Sequence, residues 1–210
     1  MTAPLHFYFD FISPFGYFAS LRIDALAARH GRRVLWHPML LGVSVMKVMG
    51  LKPLLDTPLK GPYTARDVRR YARLHGITLG RVTDAPMMNP LMNPLTVGRA
   101  FAWASRHHPD AAKGLAQAML HAYWHDGLDL SEPAALLGIA LPVDVLAAFS
   151  VAALAAAAQS DEAAQLLHDE VDASLKAGVF GSPTVVVDGE MFWGVDKLEQ
   201  VETWLARGGW

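Results

Sequence analysis

The chain has 210 residues, of which 52% are hydrophobic, with a formal net charge of −2 and no cysteine. That length supports one sizeable core, or one domain interrupted by another. A charge this close to zero gives no electrostatic basis for binding nucleic acid or an anionic membrane surface. The missing cysteines exclude a disulfide framework, a thiol nucleophile and a cysteine metal site. The N-terminus lacks a signal-peptide pattern and no apolar run is long enough to span a bilayer, so we expect a soluble, cytoplasmic protein with small-molecule partners.

The N-terminal part of the chain predicts a β-α-β unit. Residues 5–9 are short, aromatic and apolar, which favours a buried central strand. Ser13 and Pro14 then signal a helix start, with the serine as N-cap and the proline at the first helical position. An amphipathic helix is predicted over residues 15–31, followed by a second strand over residues 34–38 and a right-handed crossover between the strands. Ser13 should therefore lie where a strand is followed by a helix.

The middle of the chain has helical periodicity and no strand of comparable quality. Residues 84–94 are rich in proline, asparagine and methionine, which predicts a loop. Helices are predicted over residues 63–75, 95–107, 110–125, 132–138, 143–158 and 161–177. We interpret this block as an all-helical insertion.

Strand character returns only near the C-terminus. Two short β runs, residues 184–188 and 190–193, flank a turn, and residues 196–206 predict a closing helix. The order of elements is that of an α/β, thioredoxin-like domain interrupted by an all-helical insertion. The division predicted from it assigns residues 1–42 and 178–210 to the thioredoxin-like domain and residues 43–177 to the insertion.

The helix start at Ser13 has two interpretations. The first is that Ser13 is simply an N-cap. The second follows from the thioredoxin-like outline, in which a redox Cys-x-x-Cys motif would lie here. The ends of that motif are Ser13 and Gly16 in this chain, so disulfide exchange is impossible. A hydroxyl at this helix start could still donate a hydrogen bond to a thiolate brought by a ligand, an interaction worth about 1.5 to 3 kcal/mol.

The Ser182-Pro183 pair also has two interpretations. A proline directly before a strand can serve only to protect a sheet edge. In a thioredoxin-like domain, however, this proline is cis and lies against the first helix start. The N–H and C=O groups of Ser182 would then be free to pair with the backbone of a bound peptide.

Four stretches together resemble one protein family, the 2-hydroxychromene-2-carboxylate isomerases of the DsbA-like, kappa-class glutathione transferase group. The resemblance covers nearly the whole chain, and the first and last stretches together are specific. The stretches are FYFDFISPF at residues 7–15, WHPMLLG at 36–42, KGPY at 60–63 with Asp67, and GVFGSPT at 178–184 running on to EMFWGVDK at 190–197.

The resemblance implies a glutathione site between the thioredoxin-like and helical domains. Ser13 would face the glutathione sulfur, and Ser182 with Pro183 would supply the backbone pairing. The γ-glutamyl end would be held at the last helix by Trp193, Gly194, Val195 and Asp196. An aspartate at a helix N-terminus can receive an α-ammonium while nearby N–H groups take an α-carboxylate. Without the family, Asp196 is as well explained as a helix cap.

The substrate side depends more heavily on the resemblance. Lys47 lies near the family's substrate-side lysine and would neutralise a substrate carboxylate, although a lone lysine is ordinarily a surface residue. Leu51 stands where family members often carry the asparagine of Gly-Asn-x-Pro, a departure that allows a different native substrate. Asn93 matches another family asparagine, with loop packing as the alternative. We interpret three methionines as an adaptable apolar wall for an aromatic ring: Met87, Met88 and Met92. The alternative is that they fill gaps in the core.

The activity that the resemblance implies is glutathione-dependent isomerisation of an aromatic carboxylate, of the 2-hydroxychromene-2-carboxylate to trans-o-hydroxybenzylidenepyruvate type. Adding a thiolate to the substrate, rotating a bond and expelling the thiolate splits one hard step into two easier ones. One alternative is a kappa-like glutathione S-transferase that conjugates an electrophile. Another is a DsbA-like peptide-binding module without enzymatic activity. The family also favours a homodimer.

Two further patterns in the sequence do not define a site. His121 and His125 are four residues apart on a predicted helix with Asp126 and Asp129 nearby, a spacing seen in metal sites, but no third ligand completes the set. We therefore predict no metal. Ser182 lies in Gly-Ser-Pro, which lacks the Gly-x-Ser-x-Gly pattern of a hydrolase nucleophile.

Overall fold

A computed structural model describes residues 2–81 and 91–210. Its sheet has four strands in the order β2-β1-β3-β4. Strand β1 runs parallel to β2 and antiparallel to β3, and β3 is antiparallel to β4. The predicted parallel β-α-β unit is thereby confirmed. The strands are β1 (Leu5–Phe9), β2 (Val34–Pro38), β3 (Thr184–Val187) and β4 (Glu190–Trp193).

Strand β1 is the centre of the core, as its sequence predicts. The side chains of Leu5, Phe7 and Phe9 are fully buried. The ring of Trp36 on β2 meets Phe7 and Phe9 edge-on, at centroid distances of 5.0 and 5.3 Å. Phe101, from the helical insertion, packs edge-on against Phe9 at 5.5 Å. Edge-to-face aromatic contacts of this kind add to the gain from burying apolar area.

The turn between β3 and β4 explains why β3 ends one residue before the prediction. Asp188 and Gly189 both have positive φ, at 53° and 87°. Val187 and Glu190 are paired across them, so the hairpin loop has two residues of the type I′ kind. Arg32 donates to the Asp188 carboxylate at 2.7 Å, and this hydrogen bond is the main reason the pKa of Asp188 is lowered.

The single helix predicted over residues 15–31 is wrong. The structure has two short helices, α1 (Pro14–Ser20) and α2 (Ile23–Arg29). Arg22 has a non-helical φ of −124°, and its N–H bonds to the Ala19 carbonyl three residues back. The Arg22 guanidinium also donates to the Tyr71 hydroxyl at 3.0 Å, so a tertiary contact holds the chain at the break.

The insertion is helical, as predicted, but its segmentation differs. It opens with a π-helical segment, Gly42–Val48, and contains two 3₁₀ turns, Leu54–Asp56 and Pro133–Gly138. Its α-helices are α3 (Lys60–Leu74), α4 (Leu95–His107), α5 (Pro109–Trp124), α6 (Val143–Ala148), α7 (Val151–Ala157) and α8 (Asp161–Lys176).

The largest correction in the insertion concerns residues 143–158, predicted as one helix. Phe149 is extended, with φ −159° and ψ 153°, and separates α6 from α7. Ser150 then caps α7 by accepting a hydrogen bond from Ala153 N. The alanine-rich periodicity cannot reveal this break, because Phe149 leaves the helix to become buried in the core.

Smaller corrections concern the ends of the elements. Helix α3 begins three residues before the predicted start at residue 63, α5 and α8 are each displaced or shortened by one residue, and the predicted helix over 132–138 is a 3₁₀ helix. The last helix is preceded by a 3₁₀ turn, Val195–Lys197, and α9 spans Leu198–Arg207. Residues 84–90 of the predicted loop lie outside the described residues.

One apolar core joins the sheet to the insertion. The same buried cluster includes strand residues such as Phe7 and insertion residues such as Leu115 and Trp124. Within it, the Trp124 indole N–H donates to the Phe11 carbonyl at 2.9 Å. The division of the chain at residues 42 and 178 stays a prediction. None of the described helices has both the length and the apolar character needed to cross a membrane.

Candidate functional site

The Ser13 side chain lies at the junction of β1, α1 and the loop before β3. Ser13 has extended backbone angles, and its Oγ accepts a hydrogen bond from Gly16 N at 3.0 Å, so the predicted N-cap is present. The same hydroxyl donates its hydrogen to the Ser182 carbonyl oxygen at 3.0 Å. The side chain is 3% exposed and lines a cavity. Ser13 is therefore both a cap and a group directed at the loop before Pro183.

Ser182 is held by its side chain and presents its main chain. The Ser182–Pro183 peptide bond is cis, as predicted. The Ser182 Oγ accepts a hydrogen bond from Asp10 N at 2.9 Å. Among the described residues, no acceptor is found for the Ser182 backbone N–H. A carbonyl oxygen has two lone pairs, so the Ser182 carbonyl can accept a second donor beside Ser13.

Helix α1 can approach this loop only because residue 16 is glycine. A Cβ atom at Gly16 would lie 2.8 Å from the Ser182 Oγ and 3.3 Å from the Asp10 carbonyl oxygen. At the first separation the Ser182 hydroxyl or its loop would have to shift, whereas the second requires only a small adjustment. The glycine thus takes the place of the second redox cysteine and allows close packing.

Asp10 is a buried carboxyl group directly behind Ser13. Its Oδ1 accepts from Ile12 N at 3.1 Å and its Oδ2 from Leu41 N at 2.7 Å. Burial raises the pKa of Asp10 to about 6, against the opposing effect of the two backbone hydrogen bonds. Asp10 therefore ties the end of β1 to the chain that follows β2. Sequence reasoning missed this role, although the carboxyl residue directly after a buried strand was a usable signal.

Ser13 and Ser182 open onto a cavity of about 320 Å³. A volume of that size is at the lower end of the range for small-molecule sites. Its walls come from the π-helical segment, the 3₁₀ turn after it, α1, α3 and the loop before β3. The lining residues are Ile12, Ser13, Pro14, Phe15, Leu41, Gly42, Val45, Met46, Pro53, Leu54, Leu55, Thr64, Leu91, Gly181, Ser182 and Trp193.

The segment predicted to hold the γ-glutamyl group borders the same cavity. Trp193 is 53% exposed, its indole covers Gly181 and its ring meets Phe180 edge-on at 4.9 Å. Gly194 has a φ of 114°, and its N–H donates to the Pro183 carbonyl at 2.9 Å. Of the next two residues, Val195 is buried and Asp196 is exposed.

The carboxylate of Asp196 faces solvent, with 72% of its side chain exposed. It lies so close to Gly194 that a Cβ there would collide with it. Lys197 pairs with it at 3.5 Å. The Asp196 carboxylate is therefore accessible to an ammonium group arriving from solvent.

The residues predicted for the substrate side do not line the cavity. Lys47 is exposed on the π-helical segment, while its neighbours Val45 and Met46 form part of the wall. Asn93 is exposed, and its Oδ1 accepts from Leu95 N at 3.1 Å, which holds the turn into α4. Leu51 is exposed beside Gly50.

The methionines predicted to form an apolar wall are placed differently from one another. Met92 is buried in the core, and its N–H donates to the Tyr123 hydroxyl. Met87 and Met88 lie outside the described residues. The methionine that does line the cavity is Met46, which sequence reasoning did not select.

The histidine pair on α5 does have a third group beside it, contrary to the prediction. His121 and His125 stack at 4.2 Å between ring centroids, and Asp126 lies 3.4 and 2.8 Å from their Nδ1 atoms. The hydrogen bond from His125 is the main reason the pKa of Asp126 is lowered. One potential ligand atom from each residue lies within 4.8 Å of the others. The turn at the end of α5, which the spacing of the histidines cannot show, brings the carboxylate back.

The fold and the site together define a class: a thioredoxin-like domain in which a serine replaces the redox cysteine at the first helix start. Comparison with known proteins agrees, because the model of the DsbA-like thioredoxin domain matches residues 4–206. The chain belongs to the DsbA-like thioredoxin family, and the curated relatives it matches within that family are 2-hydroxychromene-2-carboxylate isomerases.

The similarity to these relatives extends over nearly the whole chain. The enzyme of Pseudomonas putida is 29% identical over 96% of this chain and 93% of its own length. That of Pseudomonas sp. (strain C18) is 30% identical over 97% of this chain and 89% of its own length. A solved 2-hydroxychromene-2-carboxylate isomerase superposes with a TM-score of 0.79 at 26% identity, covering 98% of this chain and 95% of the other. These relatives support an isomerase function.

Proposed function

We propose that this protein is a glutathione-dependent isomerase that acts on an unsaturated aromatic carbonyl compound. The observation that carries the proposal is the Ser13 hydroxyl bonded to the Ser182 carbonyl, at the wall of an apolar cavity, in a chain without cysteine. A protein that has this fold but no thiol can perform thiol chemistry only with a sulfur from a ligand. The isomerase relatives support the reaction class.

The groups around the cavity suit a short peptide thiol. Ser182 offers an N–H without an acceptor among the described residues and a carbonyl with a spare lone pair, which together can pair with one residue of an extended peptide. The cysteine residue of glutathione is the residue that would pair there. Trp193 lines the cavity, and the turn that follows it is held by the hydrogen bond from Gly194 N–H to the Pro183 carbonyl and by the buried Val195. Asp196, next in the chain, would offer its exposed carboxylate to the γ-glutamyl ammonium.

The chemistry that bound glutathione would supply is reversible addition of its thiolate to the unsaturated carbon, which permits rotation about the former double bond. The chain's own contribution would be to hold the glutathione and to donate a hydrogen bond to its thiolate. Ser13 donates to Ser182 in this structure, so its hydrogen must change acceptor before it can serve a thiolate. A peptide N–H can use the second lone pair of the Ser182 carbonyl, so it does not need to displace Ser13. The Ser13 hydroxyl would instead turn toward the thiolate because a charged acceptor forms the stronger hydrogen bond.

Helix α1 contributes less to this site than the sequence suggested. It ends at Ser20, so it has only 7 residues, and its dipole is correspondingly small. The proposal consequently rests on the hydroxyl of Ser13 and the main chain of Ser182, and not on the electrostatic effect of the helix.

The experiment that tests the proposal is calorimetric titration with glutathione, followed by an isomerisation assay on a cis unsaturated aromatic ketone. We expect saturable binding, and isomerisation that requires glutathione and regenerates it. Mass analysis of the product serves as the control for a transferase, because conjugation would leave a stable thioether adduct. Absence of binding at millimolar glutathione, or isomerisation that proceeds equally well without it, would contradict the proposal. Binding of extended peptides without preference for glutathione would favour a peptide-binding module.

A further inference from the structure

Among the described residues that line the cavity beside Ser13, none has a charged side chain. Three of these residues carry a hydroxyl, namely Ser13, Thr64 and Ser182, and all the others are apolar or glycine. Each of the three hydroxyl oxygens makes a hydrogen bond within the protein, two as donors and one as an acceptor. Thr64 donates to the Lys60 carbonyl at 2.8 Å, Ser13 donates to the Ser182 carbonyl, and the Ser182 Oγ accepts from Asp10 N. An anionic ligand group would therefore meet no cation in the described part of this wall, and the hydroxyl hydrogen of Ser182, whose Oγ only accepts from Asp10 N, is the one hydroxyl donor left available to it.

The lysines nearest in sequence to the lining residues are exposed and are not among those that line the cavity. Lys47 follows Met46 directly, yet Lys47 is exposed and Met46 lines the cavity. Lys52 and Lys60 are exposed as well. Residues 82–90, which precede the lining residue Leu91 in the chain, have the sequence VTDAPMMNP and so contain no lysine, arginine or histidine.

The charge of a bound substrate follows from this lining. Moving a carboxylate out of water without a paired cation costs several kcal/mol, whereas burying an aromatic ring is favourable by about 25 cal/mol per Å² of apolar surface. We infer that the substrate that occupies this cavity beside glutathione is an uncharged aromatic enone or enal and not a carboxylate. This inference rests on the proposed function and sharpens it. It sets the chain apart from relatives that are named for a carboxylate substrate.

A matched pair of ligands isolates the effect of the ligand's carboxylate charge on binding. Benzylacetone and benzylpyruvate share one skeleton and differ only in a methyl group against a carboxylate, and neither contains the reactive double bond. Their dissociation constants can be measured by calorimetry on the unmodified protein, with and without glutathione. We expect benzylacetone to bind at least about tenfold more tightly than benzylpyruvate. Tighter binding of benzylpyruvate would overturn the inference.

Introducing a cation into the wall provides the reciprocal test. Met46 is 51% exposed, so a lysine at this position can keep its ammonium hydrated while its stem lines the cavity. Met46→Lys should improve benzylpyruvate binding by about tenfold and leave benzylacetone binding little changed. Val48→Lys, on the same segment but outside the lining, is the matched control and should not alter the ratio. A loss of benzylpyruvate binding in Lys47→Ala would show that the native lysine reaches the cavity, and would count against the inference.

The unsaturated counterparts of the two ligands separate this inference from the proposed function. Rates for cis-benzylideneacetone and cis-benzylidenepyruvate are each divided by the rate of their uncatalysed reaction with glutathione. Glutathione-dependent isomerisation of benzylidenepyruvate alone would refute the uncharged substrate and leave the proposed function intact. Failure to isomerise either compound, with glutathione bound or not, would refute the proposed function itself.

Discussion

The Ser13 hydroxyl donates a hydrogen bond to the Ser182 carbonyl oxygen at 3.0 Å, joining residues that are 169 positions apart in the chain. Without a ligand, the two groups are hydrogen-bonded to each other. Under the proposed function, a ligand thiolate would take the Ser13 hydrogen, while a ligand backbone N–H would use the Ser182 carbonyl.

Replacing Ser13 by alanine should lower turnover by about 10- to 100-fold at saturating glutathione, because one charge-assisted hydrogen bond to the thiolate is lost. The substitution also removes a helix cap, which costs about 1 kcal/mol of stability. Steady-state kinetics together with urea unfolding separate the two effects.

The matched control for Ser13→Ala is Ser160→Ala. Ser160 caps α8 in the same manner, accepting from Ala163 N at 3.1 Å, far from the cavity. That variant should lose similar stability and keep its turnover. Equal turnover in wild type and Ser13→Ala would remove Ser13 from the mechanism.

Gly16→Ala should destabilise the protein by about 1 to 3 kcal/mol and weaken glutathione binding, because the new methyl group would lie 2.8 Å from the Ser182 Oγ. The loop before Pro183 would have to move away from α1. Urea unfolding and calorimetric titration measure the two consequences. At Gly138 an added Cβ would meet nothing within 4 Å, so Gly138→Ala should leave both quantities nearly unchanged. A Gly16→Ala protein as stable as wild type would show that the loop yields easily.

Asp10 should make stability fall as the pH rises from about 4 to about 6. Burial raises the pKa of this carboxyl from 3.8 to about 6, so the folded state holds its proton more tightly than the unfolded chain does. The contribution of Asp10 to stability is complete below its pKa in the unfolded chain and is lost as the pH rises through its pKa in the folded protein. The unfolding free energy should change by about 3 kcal/mol over this range. The difference in unfolding free energy between wild type and Asp10→Asn, measured across this pH range, should show that slope.

Asp56→Asn, at an exposed position, is the control for Asp10→Asn and should leave the pH dependence of wild type in place. Because other carboxyl groups titrate in the same range, only the difference between wild type and variant reports on Asp10. Parallel stability curves for wild type and Asp10→Asn would contradict the raised pKa.

Trp124→Phe should cost about 2 to 4 kcal/mol, because it leaves the Phe11 carbonyl without its indole donor and opens space in the core. Phe11 lies two residues before Ser13, so we also expect weaker glutathione binding. Trp103→Phe, at a partly buried position of α4, should cost less and should not affect binding. An equal loss in both variants would show that the hydrogen bond to Phe11 contributes little.

Local signals in the sequence were sufficient for much of the fold. The aromatic strand over residues 5–9, the Ser13 cap and the proline before β3 each depend on interactions within a few residues, and the structure confirms all three. The break between α1 and α2 was not predictable in this way. It is held by the Arg22 contact with Tyr71, a residue on another helix.

The sequence by itself determined the element order and, through the lack of cysteine, that any thiol chemistry must use a ligand's thiol. Only the tertiary structure decided which groups line the cavity beside Ser13. Periodicity does not reveal that Met46 faces the cavity and Lys47 faces water, because in a π-helical segment neighbouring side chains diverge in direction. Nor does it reveal that the Ser13 hydroxyl meets the Ser182 carbonyl. Hydrogen-bond partners and the charge of a cavity wall depend on contacts between distant segments, which exist only once the chain has packed.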